Sequence, residues 1–179
     1  MKIYCATSNP GKLREFHLAA PDFEIVSISL PAPEETGKTF EENALLKARY
    51  YGAHVNGYLF VDDSGIEVDA LGGRPGVASA HFDNDWLLEQ LKGVEDRTAR
   101  FVCVIALIKG DFVKMFRGAV EGRVTEEPRG ANGFGYDPLF YYEPFGCTFG
   151  EADADAKMKV SHRAKALEAM FTFLRSASI

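Results

Sequence analysis

Two adjacent carboxylates, Asp62 and Asp63, followed by Ser64 and Gly65, are the residues in this chain best suited to chemistry. They follow the apolar run Tyr58-Leu59-Phe60-Val61, which reads as a buried strand. The pair is therefore expected at a strand's end, with a glycine turn after it. Like charges at close range raise each other's pKa unless a cation or hydrogen-bond donors compensate. A divalent ion with oxygen ligands compensates well, and magnesium commonly takes one or two carboxylates and leaves the rest of its shell to water or substrate phosphates. The plainer alternative is a solvated acidic turn.

Other segments suit a phosphorylated ligand. Thr7-Ser8-Asn9-Pro10-Gly11-Lys12 lies between a strand and a helix. Main-chain N–H groups at a helix start favour anions, and Lys12 adds a full charge. It is not a P-loop, because GxxxxGK[ST] is absent; a capped turn with a surface lysine is the alternative. Lys47 follows Asn43 by one helical turn, so the two share a face. Glu34 stands in a proline-rich loop and becomes a metal-ligand candidate only if that loop folds over Asp63.

In Gly130-Ala131-Asn132-Gly133-Phe134-Gly135-Tyr136-Asp137-Pro138 the glycines let backbone approach a ligand. Phe134 and Tyr136 offer planar faces for a base, and Asp137 an acceptor for ring N–H groups. An aromatic loop packed on itself is the alternative. Ser161 is expected to cap the last helix, which puts His162 and Arg163 in its first turn. The helix dipole disfavours cations there, so an anionic or acceptor-rich ligand is expected nearby, with Lys157 able to join. A surface basic cluster is the alternative.

The elements that must hold these residues follow from periodicity. Strands are expected at residues 3–6, 23–30 and 58–61, with 66–70 extended. Helices are expected at 12–19 and from a capping box at Thr39-x-x-Glu42, with Phe40, Ala44, Leu45 and Ala48 on one side. Asn84 is expected to cap a short helix ending at Gly93. Residues 100–108 and 112–124 read as a hairpin joined at Lys109-Gly110-Asp111, and a short strand follows at 139–142. The last helix, 161–175, buries Ala164, Leu167, Phe171 and Leu174. This order predicts an α/β fold: a mixed sheet flanked by helices, in two lobes with a cleft between them.

Composition narrows the function. The chain has 179 residues, enough for one core or for one divided around a cleft. Its net charge of −6 argues against a general nucleic-acid surface. An acidic polyphosphate binder must instead concentrate its cations locally, which makes Lys12, Lys47, Lys157 and Arg163 worth following. Cys5, Cys103 and Cys147 are scattered; the first two sit in apolar runs and read as buried thiols in a reducing compartment. No apolar run approaches the ~20 residues of a membrane span, and no signal peptide precedes the first strand, so a cytoplasmic protein is expected.

Five segments in order, ATSNPGKLREF, TFEENALLKA, DDSGIEVDALGGRPGVASAHF, EPRGANGFGYDPLF and SHRAKAL, resemble the inosine triphosphate pyrophosphatase family. Any one would be weak; together they span nearly the whole chain. The resemblance implies an elongated mixed sheet in a single domain of two lobes with the active cleft between them, a homodimer, and a magnesium-dependent enzyme. Its reaction would be hydrolysis of ITP, dITP and XTP to the monophosphate and pyrophosphate. By position, Thr7, Ser8, Asn9, Pro10, Gly11 and Lys12 would hold the phosphates, with Lys47 beside them. Glu34 and Asp63 would bind metal, and Asp63 would accept a proton with Asp62 next to it. Ser64 would touch substrate. Phe134, Gly135, Tyr136 and Asp137 would contact the nucleoside, and Lys157, His162 and Arg163 would complete the site.

The sequence departs from that family in two places. Ala78-Ser79-Ala80-His81 stands where members often carry Tyr-Ser-Ala-Arg, which weakens any phosphate contact there, and residues 82–97 form a short segment. Other readings are a pyrophosphatase for modified pyrimidine triphosphates, as in the related Maf-type fold, and a nucleotide-binding module without catalysis. The acid pair argues against the last, because a binder of polyanions gains nothing from carboxylates without a metal.

Overall fold

The computed structural model describes residues 1–177. Seven strands form one sheet in the order β2-β1-β3-β4-β5-β6-β7. They are β1 (Lys2–Ala6), β2 (Glu24–Ile28), β3 (Leu59–Val68), β4 (Thr98–Lys109), β5 (Phe112–Val124), β6 (Phe140–Tyr142) and β7 (Cys147–Thr148). β1 runs parallel to β2 and β3, and the pairs from β3 to β7 are antiparallel, so the sheet is mixed as expected. The helices are α1 (Pro10–Ala19), α2 (Phe40–Gly52), α3 (Asn84–Gln90), α4 (Ala154–Lys157) and α5 (His162–Ala177).

Local caps explain where the helices start. The Asn9 side chain accepts from Gly11 N and Lys12 N, Thr39 accepts from Glu42 N, and Ser161 Oγ accepts from Ala164 N at 3.1 Å. The cap of α3 is Asp83, whose carboxylate accepts from Trp86 N, and not Asn84; Asn84 turns to donate to the Gly135 carbonyl at 3.3 Å. The two-residue strand β7 and the one-turn helix α4 are too short to carry a period and leave no signal in the sequence.

The largest departure lies in β3. The strand does not end before the acid pair: it runs ten residues through Asp62, Asp63, Ser64 and Gly65, in unbroken antiparallel register with β4. Gly65 serves close approach rather than a turn. A Cβ there would run into the Gly76 carbonyl and the Ser79 hydroxyl of the 3-10 helix Gly76–His81. Ser79 Oγ in turn accepts from Ile66 N at 3.0 Å.

Successive side chains of a strand point to opposite faces. Phe60 packs in the core under α1 and α5 with Phe16, Phe171 and Met170. Leu59 and Val61 pack on the other face with Phe40, Ala44 and Ala48 of α2. A third cluster at the far end of the sheet joins Ile66, Val68, Phe101, Leu139, Phe140 and Phe149 to Leu87 and Leu91. The same alternation sends Asp62 toward α1 and α5 and Asp63 toward α2.

Gly118 on β5 fixes the height of α5 above the sheet: a Cβ there would overlap the His162 carbonyl oxygen. Gly118→Ala is expected to cost about 1–3 kcal/mol by overpacking, read from urea denaturation. An unchanged midpoint would contradict this contact.

Candidate active site

A cavity of about 570 Å³ opens where the start of α1, the middle of β3, the start of α5 and the glycine-rich segment meet. Thr7, Ser8, Asn9, Lys12, Lys47, Asp62, Ser64, Phe134, Gly135, Tyr136, Asp137, Lys157, His162 and Arg163 all line it. Pro10, exposed at the start of α1, and Gly11, buried against the Phe134 ring, are not part of the lining. Asp63 reaches the cavity through Lys47, and Glu34 is exposed to solvent, whereas its neighbour Glu35 is part of the wall.

The cations anticipated from an acidic sequence are all here, each held by a carboxylate. Lys12 lies 2.9 Å from Asp62 Oδ2. Lys47 donates to the Asp62 carbonyl at 2.7 Å and to Asp63 Oδ1 at 2.9 Å, and pairs with Glu35 at 3.2 Å. Lys157 donates to Glu15 and to Asp137, both at 2.6 Å. Arg163 donates to Glu15 at 2.6 Å and to Ser64 Oγ at 2.8 Å, and its Nε lies 3.5 Å from Asp62. The sequence reading explained Arg163 at a helix start by an external anion; the buried Glu15 and Asp62 already supply internal ones. The adjacent acids, for which the sequence offers a divalent ion as charge compensation, are sent to opposite faces by the strand, with Lys12 and Lys47 beside them.

Glu15 is the site residue that the sequence reading missed. It is buried on α1 and ties Lys157 and Arg163, 142 and 148 residues away, to that helix. Its only local signal is a position one turn after Lys12.

Burial alone would raise the Asp62 and Glu15 pKa values. Lys12, Arg163 and Lys47 outweigh it at Asp62 and hold that carboxyl well below the usual range. Arg163 and Lys157 do the same at Glu15, which is also lowered. At Asp63 burial wins over Lys47 and the pKa is raised, and at Asp137 it wins over Lys157. Burial, reinforced by Arg163 and Lys157, holds His162 well below 6.5, so the imidazole is neutral. It stacks on Phe101 with ring centroids 4.7 Å apart.

Among the described residues, three buried side-chain polar atoms lack hydrogen-bond partners: Asp63 Oδ2, His162 Nδ1 and Arg163 Nε, the last lying 3.5 Å from Asp62 Oδ2. Orphans cost free energy in the unliganded protein and mark where a ligand can bind. The Phe134 ring lies over Gly11, with Lys157 Nζ 4.9 Å and the Arg163 guanidinium 5.5 Å from its centroid. Asp137 Oδ2 accepts from Phe134 N at 3.0 Å, so it shapes the aromatic loop as well as holding Lys157. Tyr136 donates its hydroxyl to the Ser79 and Phe82 carbonyls and fixes the loop to the segment after Gly76.

A pH dependence of stability follows. Asp62 and Glu15 are lowered from 3.8 and 4.5, so their contribution is fully present above those values and is lost as pH falls through the depressed folded ones. Asp63 and Asp137 are raised, so they act in the opposite sense and weaken folding as pH rises through the ordinary carboxylate range. Asp62→Asn is expected to cost about 3–5 kcal/mol near neutral pH, because it strands buried cations. It should also flatten the acid limb of the stability curve. Urea denaturation across the acid range checks both; an equally steep acid limb would contradict the assignment.

The Ham1 family model matches residues 3–173. A dITP/XTP pyrophosphatase of Bacillus licheniformis is 44% identical, over 98% of this chain and 99% of the relative. One of Exiguobacterium sp. is 46% identical, over 93% of each. The solved structure of a HAM1 protein from Coxiella burnetii superposes with a TM-score of 0.87 at 38% identity, over 98% of this chain and 99% of that one. With the match running from the first strand to the last helix, the chain belongs to the Ham1 family.

Proposed function

We propose that this protein hydrolyses dITP, XTP and ITP to the nucleoside monophosphate and pyrophosphate. The observation that carries this reading is the convergence of Lys12, Lys47, Lys157 and Arg163 on one cavity that also holds an aromatic ring and a neutral imidazole. Relatives named dITP/XTP pyrophosphatase, aligned over almost the whole chain, support the same reaction.

In this reading the triphosphate lies along Lys12 and Lys47 and the first amides of α1. The base lies against Phe134. Hypoxanthine and xanthine present a 6-oxo acceptor, and the neutral His162, whose Nδ1 has no hydrogen-bond partner, lines the cavity beside Arg163 where such a group can pair. Adenine presents an amino group there instead and would leave buried donors unpaired, which a site of this kind rejects strongly.

Asp63 is the proposed base. Burial raises its pKa, and its Oδ2 has no partner. It takes a proton from the water that attacks the α-phosphorus, while the bond to the bridging oxygen breaks and pyrophosphate leaves. Asp62, with its depressed pKa, is a poor base; it holds Lys12 and Arg163 in place.

Among the described residues no group of three or more acidic, histidine or cysteine side chains forms a ready metal site. Magnesium needs only one or two carboxylates, and the orphaned Asp63 Oδ2 is a fitting hard acceptor, with Glu34 as the second ligand by resemblance. When bound, the ion supplies charge neutralisation for the leaving pyrophosphate. A single domain of two lobes, a homodimer and a cytoplasmic setting complete the proposal by resemblance; no described helix is long and apolar enough to cross a membrane.

The test is pyrophosphate release from ITP, dITP, XTP, ATP, GTP and a pyrimidine triphosphate, with magnesium or with chelator, by the wild type and by Asp63→Asn. Magnesium-dependent release from the first three is expected, with turnover by the folded variant lower by about 100-fold or more. Equal rates on all bases would overturn the base-recognition reading, preference for the pyrimidine would favour the Maf-type alternative, and an active variant would remove Asp63 as base.

A further inference from the structure

The carboxylates that hold the cavity's cations differ in how firmly they are built in. The side chains of Asp62, Asp63, Glu15 and Asp137 are 2%, 8%, 9% and 3% exposed, and they stand on β3, α1 and the turn that opens β6. Glu35 is 37% exposed and sits in the irregular segment between β2 and α2. It pairs with Lys47, whose ammonium already makes shorter bonds to the Asp62 carbonyl and Asp63 Oδ1. An ammonium has three donors. Two are anchored on β3, and the remaining one faces the cavity wall, where Glu35 meets it.

We propose that Glu35 is a placeholder anion: its carboxylate occupies the free side of Lys47 in the unliganded protein, and a phosphate oxygen of the substrate replaces it. The inference rests on the proposed polyphosphate site and goes beyond it by assigning a positioning role to a residue outside that site's reaction. A part-exposed ion pair is a weak tie, so the exchange is easy. A polyphosphate carries more charge than the single carboxylate it displaces and reaches the neighbouring cations as well, so it wins the competition.

The exchange also bears on Glu34. With Glu35 on Lys47, Glu34 stays outside the cavity. Release of Glu35 frees residues 29–36, upstream of the anchors at Gly37 and Lys38, where Asn43 Oδ1 and Glu42 Oε2 accept backbone N–H bonds at 2.7 Å and 2.6 Å. Glu34 can then turn inward.

The test uses inorganic tripolyphosphate, which has no base, in chelator-containing buffer, with binding to the full chain read by calorimetry. Glu35→Gln is expected to bind it about threefold or more tightly than wild type, with the advantage shrinking at high salt. Glu34→Gln, which removes the same charge one residue away, measures the general effect of charge and is expected to gain less. Equal or weaker binding by Glu35→Gln, an equal gain in Glu34→Gln, or no binding by the wild type would each overturn the proposal. If the wild type binds tripolyphosphate yet hydrolyses no nucleotide, the enzymatic reading fails while this one stands.

Discussion

A charge buried without a partner is too costly for a protein of ordinary stability, and this constraint organises the molecule. Arg163 and Lys157 lie almost wholly out of solvent at the end of the chain, and both close on Glu15 near its beginning. Asp62 closes on Lys12 and Arg163 from the middle. The network thus ties α1, β3 and α5 together at the point where the cavity opens. The same carboxylates that make burial tolerable hold each cation at a fixed place. A polyanion entering the cavity meets cations already anchored on the fold, and preorganised donors are worth more than mobile ones.

The strand geometry of β3 divides the labour between the two acids. Because Asp62 and Asp63 point to opposite faces, Lys12 and Arg163 close on Asp62 and Lys47 closes on Asp63, and the two pKa values move in opposite directions. Asp62 sits among several cations and stays ionised; Asp63 has Lys47 as its paired cation and an oxygen without a hydrogen-bond partner. Neighbouring residues of the same type therefore suit different tasks, one structural and one as a proton acceptor. Gly65 contributes by letting the Gly76–His81 turn lie against the strand, and Tyr136 fastens the aromatic loop to that turn.

Features written in neighbouring residues were legible in the sequence. Thr39 and Ser161 cap helices through contacts three residues away, and alternation along residues 100–108 and 112–124 announces the central hairpin. The cavity-lining cations were legible as well, because each sits in a segment unusual for its composition. Long-range pairing was not. Nothing near Glu15 announces Lys157 or Arg163, and the acid pair looked like a strand's end because Ser64-Gly65 is also what a turn looks like. Only the facing strand β4, which stands in register opposite every residue of β3, decides between the two. Likewise Glu34 and Glu35 cannot be told apart by composition; the path of the segment puts Glu35 in the wall.

The central claim is that buried carboxylates serve the polyanion by fixing the cations, although they carry the same sign of charge as the ligand. The most direct measurement is tripolyphosphate affinity in Glu15→Gln, with folding confirmed by its melting transition. Charge counting alone predicts tighter binding, because a negative group leaves the site. The account predicts weaker binding, because Lys157 and Arg163 lose the group that orients them both. Binding as tight as that of the wild type, or tighter, in a folded variant would contradict it.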